Sequence, residues 1–119
     1  MANITKNFTE NELKCPCCGE IAMDGEYMAK LQEIRTLCAF GFRVNSGYRC
    51  ESHNAKVSKN SQNDHVKGQA VDIHLTDRYK RAKLLKCLLN REYFKDIAIA
   101  KTFIHIGKGR ITKGVGVYG

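Results

Sequence analysis

His65 and Asp72 stand seven positions apart on either side of Lys67-Gly68, and His105 lies further along between Ile104 and Ile106. Two imidazoles and one carboxylate are the donor types that a catalytic zinc takes from a protein, leaving a fourth position for water. In residues 69–75, Val71, Ile73 and Leu75 alternate with Ala70, Asp72 and His74, which predicts a strand with an apolar back and a front bearing Asp72. His105 alternates with Ile104 and Ile106 in the same way, so if the two strands are neighbours, Asp72 and His105 share a face. His65, across the turn, can fold back over that strand. His74 shares the face of Asp72 and is the second choice as ligand, better suited two residues on to support a ligand or to touch substrate. Taken singly, each histidine reads as an ordinary surface or core residue; taken with Asp72 they read as a site.

The elements that must position these groups are legible from caps and periodicity. Thr9-Glu10-Asn11-Glu12 has the spacing of a capping box and predicts a short helix. Asp24 is an N-cap for a longer one, in which Tyr27, Leu31, Ile34 and Cys38 recur at helical spacing and Gly41 supplies the stop. Residues 42–46 alternate as a strand, 53–57 predict one helical turn, and 58–63 read as loop. Thr76-Asp77 opens another helix, ending near Asn90, whose apolar face reads as Ala82, Leu85 and Leu89 flanked by Leu84 and Leu88. Residues 97–100, 103–106 and the segment around 115–118 read as short strands. Together they predict a single α+β domain over residues 1–119, with a small, largely antiparallel sheet and helices packed on one face.

The chain's 119 residues suit one domain, and 43% hydrophobic with 27% charged residues argues against disorder. No apolar run reaches the length of about 18 residues that spans a bilayer, and residues 1–14 lack the apolar stretch of a secretory signal. Synthesis in a reducing cytoplasm is the expectation, with a monomer as the default. A net charge of +8 favours an anionic partner: nucleic acid, an anionic membrane, or a cell wall rich in carboxylates and phosphates. Nucleic acid is disfavoured, because no aromatic stacking residues are interleaved with a basic groove pattern.

Of six cysteines, three fall in Cys15-Pro16-Cys17-Cys18-Gly19, which contains a C-x-x-C. That cluster suits a structural zinc with Cys38, Cys50 or Cys87 as further ligands. Free thiols acting as small apolar side chains, or a disulfide formed after release from the reducing compartment, are the other readings.

Several blocks occur in a telling order: Phe8-Thr9 with Glu12-Leu13, Ser46-Gly47-Tyr48-Arg49-Cys50, His53-Asn54, Asn60-Ser61-Gln62, His65-x-x-Gly68-x-Ala70-x-Asp72-Ile73 and Phe103-Ile104-His105-Ile106. From about Asn7 to Ile106 this order resembles the zinc D-alanyl-D-alanine carboxypeptidase family, whose relatives include phage endolysin peptidases and, by fold, the hedgehog signalling domain. The resemblance implies that His65, Asp72 and His105 hold Zn(2+), that Arg49 contacts the substrate's terminal carboxylate or polarised carbonyl, and that Ser61 lies at the substrate pocket's edge. It implies as substrate a peptidoglycan stem peptide, cut next to a D-amino acid by a carboxypeptidase or an endolysin-type endopeptidase that reaches the cell wall after release or export. This chain departs from the family in two places. Asn63 stands where the family usually has the loop serine, and no acidic residue lies a few positions before His105, where many members carry a general base. Asp64 and Asp96 are therefore the candidate bases, and the rival reading is a catalytically inactive cell-wall-binding module or a basic zinc-binding module.

Overall fold

A computed structural model of the chain describes residues 3–57 and 64–109, and the backbone alone at 115–117. Strands β1 (Asn3–Thr5) and β2 (Phe8–Thr9) form a small antiparallel hairpin that runs directly into helix α1 (Glu10–Leu13). The expected capping box is present: the Thr9 hydroxyl accepts the Glu12 N–H, and the Glu12 carboxylate accepts the Thr9 N–H. Two otherwise unpaired donors of a one-turn helix are thereby satisfied.

Helix α2 (Gly25–Cys38) starts where its cap is expected, with the Asp24 carboxylate accepting the Tyr27 N–H at 2.9 Å. Tyr27, Met28, Leu31, Ile34 and Cys38 are all buried, so the predicted stripe is the core face. The stop differs from expectation. Ala39, with φ of 59°, takes the left-handed position directly after the last helical residue, and its N–H bonds the Arg35 carbonyl. The reversal has to occur at that position for the last carbonyls to be paired, so Gly41, two residues later, plays no part in it.

The main sheet has the order β3 (Arg43–Ser46), β4 (Ala70–His74), β6 (Phe103–Gly107), β5 (Asp96–Ile99), β7 (Val115–Val117). Every pairing is antiparallel except that of β5 with β7. Val71 and Ile73 of β4 stand opposite Ile106 and Ile104 of β6, and all four are fully buried. Helices α2 and α4 (Arg78–Arg91) cover this apolar back, with the Tyr27 hydroxyl donating to the Ile106 carbonyl at 2.6 Å. Helix α3 (Glu51–Val57) extends the predicted single turn backwards to Glu51 and buries Asn54. The class is α+β, as expected. Among the described residues no helix is long and apolar enough to cross a membrane.

On α4 the apolar face is rotated from the predicted one. Leu84 and Leu88 are buried, whereas Ala82 is exposed and Leu89 is 53% exposed. The leucine-rich sequence offers two overlapping stripes at helical spacing, and docking on the sheet and α2 selects the one through Leu84 and Leu88.

Gly68 closes the turn before β4 with φ of +69°, and a Cβ there would lie 1.8 Å from the Ala22 carbonyl oxygen. Gly68→Ala should therefore destabilise the protein by more than about 2 kcal/mol, from the left-handed backbone and the collision together, whereas Gly41→Ala, with open space around it, should stay within about 0.5 kcal/mol. Denaturant midpoints of the two variants check the contrast, and equal effects would contradict it.

Candidate functional site

Asp72 and His105 are direct cross-strand partners on β4 and β6. Each is flanked by residues of the apolar back, so the strand pleat turns both polar side chains to the front. His105 Nδ1 lies 2.8 Å from Asp72 Oδ1. His65 comes from the turn that precedes β4, where the Asp64 carbonyl accepts the N–H groups of Lys67 and Gln69 and the His65 carbonyl accepts that of Gly68. The turn folds the imidazole over the strand. The Gly47 carbonyl engages His65 Nδ1 at 2.8 Å, which leaves Nε2 facing Asp72 Oδ1 at 3.3 Å.

The ligating atoms of His65, Asp72 and His105 all lie within 4.8 Å of one another, and all three residues are buried. Donors held at about 2.0–2.2 Å by a tetrahedral zinc stand about 3.3–3.5 Å apart, a range that contains the His65 to Asp72 separation. The shorter His105 to Asp72 contact is the hydrogen bond that a proton on Nδ1 makes and a metal would replace. The donor set and its spacing fit a divalent cation.

Electrostatics point the same way. Burial by itself drives His105 towards the neutral form, but hydrogen bonds and charge from Asp72 and Asp96 prevail and raise its pKa to about 9. Burial also pushes the Asp72 carboxyl up, and the hydrogen bonds from His105 and His65 overcome it, holding the group well below the usual carboxylate range. A buried anion thus keeps a cation beside it, here a proton.

Arg49 completes the cluster. Its Nη2 lies 3.3 Å from Asp72 Oδ2, its Nε donates to Ser46 Oγ at 3.1 Å, and its Nη1 donates to Asn54 Oδ1 at 3.4 Å. Asp72 therefore offers one oxygen to the imidazoles and the other to the guanidinium. Asp96, on β5, places Oδ2 3.5 Å from His105 Nε2. Asp64 accepts the Gly109 N–H at 2.8 Å, and a Cβ on Gly107 would touch both Asp64 Oδ2, at 3.0 Å, and His105 Nε2, at 2.9 Å. Both candidate bases thus stand on the Nε2 side of His105, whereas Nδ1 faces Asp72. His74 lies on the Asp72 face, half-buried, but is not part of the three-residue donor group. Ser61 and the rest of the 58–63 loop lie outside the described residues. Periodicity gave no sign that Asn54 and the Gly47 carbonyl orient Arg49 and His65; the only signal was their place in the ordered blocks.

The sequence profile of the family described as Peptidase M15 matches residues 6–107. The chain belongs to the M15 peptidase family. No curated protein matches it. Membership makes this chain one of a metal-dependent group of peptidases, and the match spans every described residue of the cluster. In this M15 peptidase, one set of three groups able to hold a metal consists of the pair fixed by the β4/β6 register and the histidine of the preceding turn.

Two outcomes are expected. Because the His105 pKa of about 9 in the fold exceeds its ordinary 6.5, its ion pairing stabilises the metal-free protein fully below about pH 6.5 and is lost as pH rises through about 9. The loss should be on the order of 3 kcal/mol in denaturant titrations, and metal, which takes the proton's place, should reverse the trend; a flat metal-free profile would contradict it. Secondly, Asp96→Asn should weaken metal binding by about 10- to 100-fold without removing a ligand, because a carboxylate on the far nitrogen orients a ligating imidazole and raises its basicity. Competition with a chelator measures this, and unchanged affinity would remove Asp96 from that role.

Proposed function

We propose that this M15 peptidase is a zinc metallopeptidase that hydrolyses peptide bonds next to D-amino acids in peptidoglycan stem peptides, as a D-Ala-D-Ala carboxypeptidase or an endolysin-type endopeptidase. The observation that carries the reading is the convergence of His65, Asp72 and His105 within a chain matched by a peptidase family over residues 6–107. Zinc on these three residues would activate a water molecule and polarise the scissile carbonyl. The residues of the chain supply the rest. His65 is held in one orientation by Gly47, and His105 by Asp96, so neither ligand has to reorganise during a cycle.

Arg49 is held by Ser46, Asn54 and Asp72 and is thereby preorganised as a donor for a substrate oxygen. Asp64 is our candidate for proton transfer: it adjoins ligand His65, and its carboxylate borders Gly107, two residues beyond ligand His105. Asp96 acts instead as a positioning residue through His105. A net charge of +8 suits a polyanionic cell wall, which the protein would meet after release or export.

The test is incubation of zinc-loaded protein with purified peptidoglycan and with D-Ala-D-Ala peptides, followed by mass spectrometry of the products. Release of a terminal D-alanine or of cut stem peptides is expected, with the zinc of this His65, Asp72 and His105 site lost in His65→Ala and His105→Ala and retained in His74→Ala. Arg49→Ala should keep its zinc and lose about 10²- to 10³-fold in kcat if the guanidinium stabilises charge on the carbonyl oxygen, or raise KM alone if it anchors the carboxylate. Asp64→Asn should lower kcat with zinc retained, whereas the defect of Asp96→Asn should recover with added zinc. Binding of wall fragments with no product across pH 6–9 would replace this reading with a catalytically inactive wall-binding module.

A further inference from the structure

The second donor cluster lies where the segment after α1 meets the segment after β3. Residues 15–20 double back on themselves: the Glu20 carbonyl accepts the Cys15 N–H at 2.8 Å, the Cys15 carbonyl accepts the Gly19 N–H at 2.8 Å, and Gly19 takes φ of +74°. This compact turn puts Cys15 and Cys18 beside Cys50, and one ligating atom from each lies within 4.8 Å of the others. Cys15 Sγ is 3.6 Å from Cys50 Sγ. Two thiolates on a tetrahedral zinc, each about 2.3 Å from the metal, stand about 3.8 Å apart, whereas disulfide sulfurs are about 2.0 Å apart. The spacing is too long for a disulfide and close to what a metal would impose.

Backbone donors converge on the same sulfurs. The Cys50 N–H points to Cys15 Sγ at 3.4 Å, and the His53 N–H points to Cys50 Sγ at 3.4 Å. Amide N–H groups aimed at sulfur favour the charge that a metal-bound thiolate carries.

We propose that Cys15, Cys18 and Cys50 form a structural zinc site whose donor set is distinct from that of His65, Asp72 and His105. The other two cysteines proposed from sequence as ligands lie elsewhere: Cys38 pairs with Cys87 between α2 and α4, and burial together with that neighbour pushes Cys38 up to about 12. The site's position explains its use. Tyr48 N–H bonds the Leu13 carbonyl at 2.9 Å, and a Cβ on Gly47 would lie 2.8 Å from that same oxygen. A metal bridging the 15–18 turn to Cys50 would pin the 46–50 segment from its other end, and that segment carries both the carbonyl that orients His65 and the Arg49 side chain.

Metal analysis of the protein, purified reduced and with zinc supplied, tests this. Two zinc ions per chain are expected for the unaltered protein, for Cys38→Ser and for Cys87→Ser, and one for Cys50→Ser. The His105→Ala protein should retain one zinc with all six cysteines intact, which keeps the test decisive if Cys50→Ser fails to fold. Loaded with cobalt, His105→Ala should show thiolate-to-metal charge-transfer absorption, and Cys18→Ser in that background should weaken binding at least tenfold. Unchanged affinity there would remove Cys18 from the ligand set. A single zinc per reduced chain, lost entirely in His105→Ala, with Cys15, Cys18 and Cys50 alkylated at the rate of exposed thiols or with Cys15 and Cys50 in a disulfide, would overturn the proposal.

Discussion

The buried carboxylate of Asp72 is the constraint around which the rest of the structure is arranged. A charge removed from water is tolerated only when it is paired and hydrogen-bonded, and Asp72 has His105 and His65 on one oxygen and Arg49 on the other. Three chain segments distant in sequence must therefore arrive at one point. The β4/β6 register brings His105, the turn before β4 brings His65, and the segment after β3 brings Arg49. The same convergence sets two imidazoles beside the ionised carboxylate, a donor set that could hold a divalent cation.

Close backbone approaches hold that arrangement. Gly68 lets the 64–68 turn press against Ala22, and Gly47 lets the segment after β3 lie on Leu13. Gly107 leaves room beside His105 for Asp64. A Cβ would collide with the Ala22 or Leu13 backbone at the first two places and with His105 and Asp64 at the third, so these glycines act on the candidate site through packing. The apolar back, shared with α2 and α4, supplies the burial that keeps the sheet from adjusting. The cluster of Cys15, Cys18 and Cys50 lies at the other end of the 46–50 segment, where the Cys50 N–H meets Cys15 Sγ.

Much of the site was legible in the residues alone. Strict alternation around Asp72 and around His105 determined which way each side chain faces, because successive Cβ atoms on a strand point to opposite sides whatever the partner strand. Capping residues Thr9, Asp24 and Asp77 likewise marked helix starts, since a side-chain oxygen that accepts an amide two or three residues on is a local device. Local chemistry could not choose between overlapping stripes on α4, nor place the stop of α2 at Ala39, because docking and backbone reversal decided both.

By itself, then, the sequence determined the donor types, the strand faces that bear Asp72 and His105, and the ordered blocks that resemble a peptidase family. The tertiary structure alone decided that these strands are neighbours in direct register, that His105 turns Nδ1 to Asp72 and Nε2 to Asp96, that Arg49 shares the Asp72 carboxylate, and that Cys50 rather than Cys38 or Cys87 meets the N-terminal cysteines. The physical reason is range. Side-chain direction follows from covalent geometry within a few residues, whereas distances between groups 20 to 40 positions apart depend on strand order and helix docking, which the whole apolar core selects.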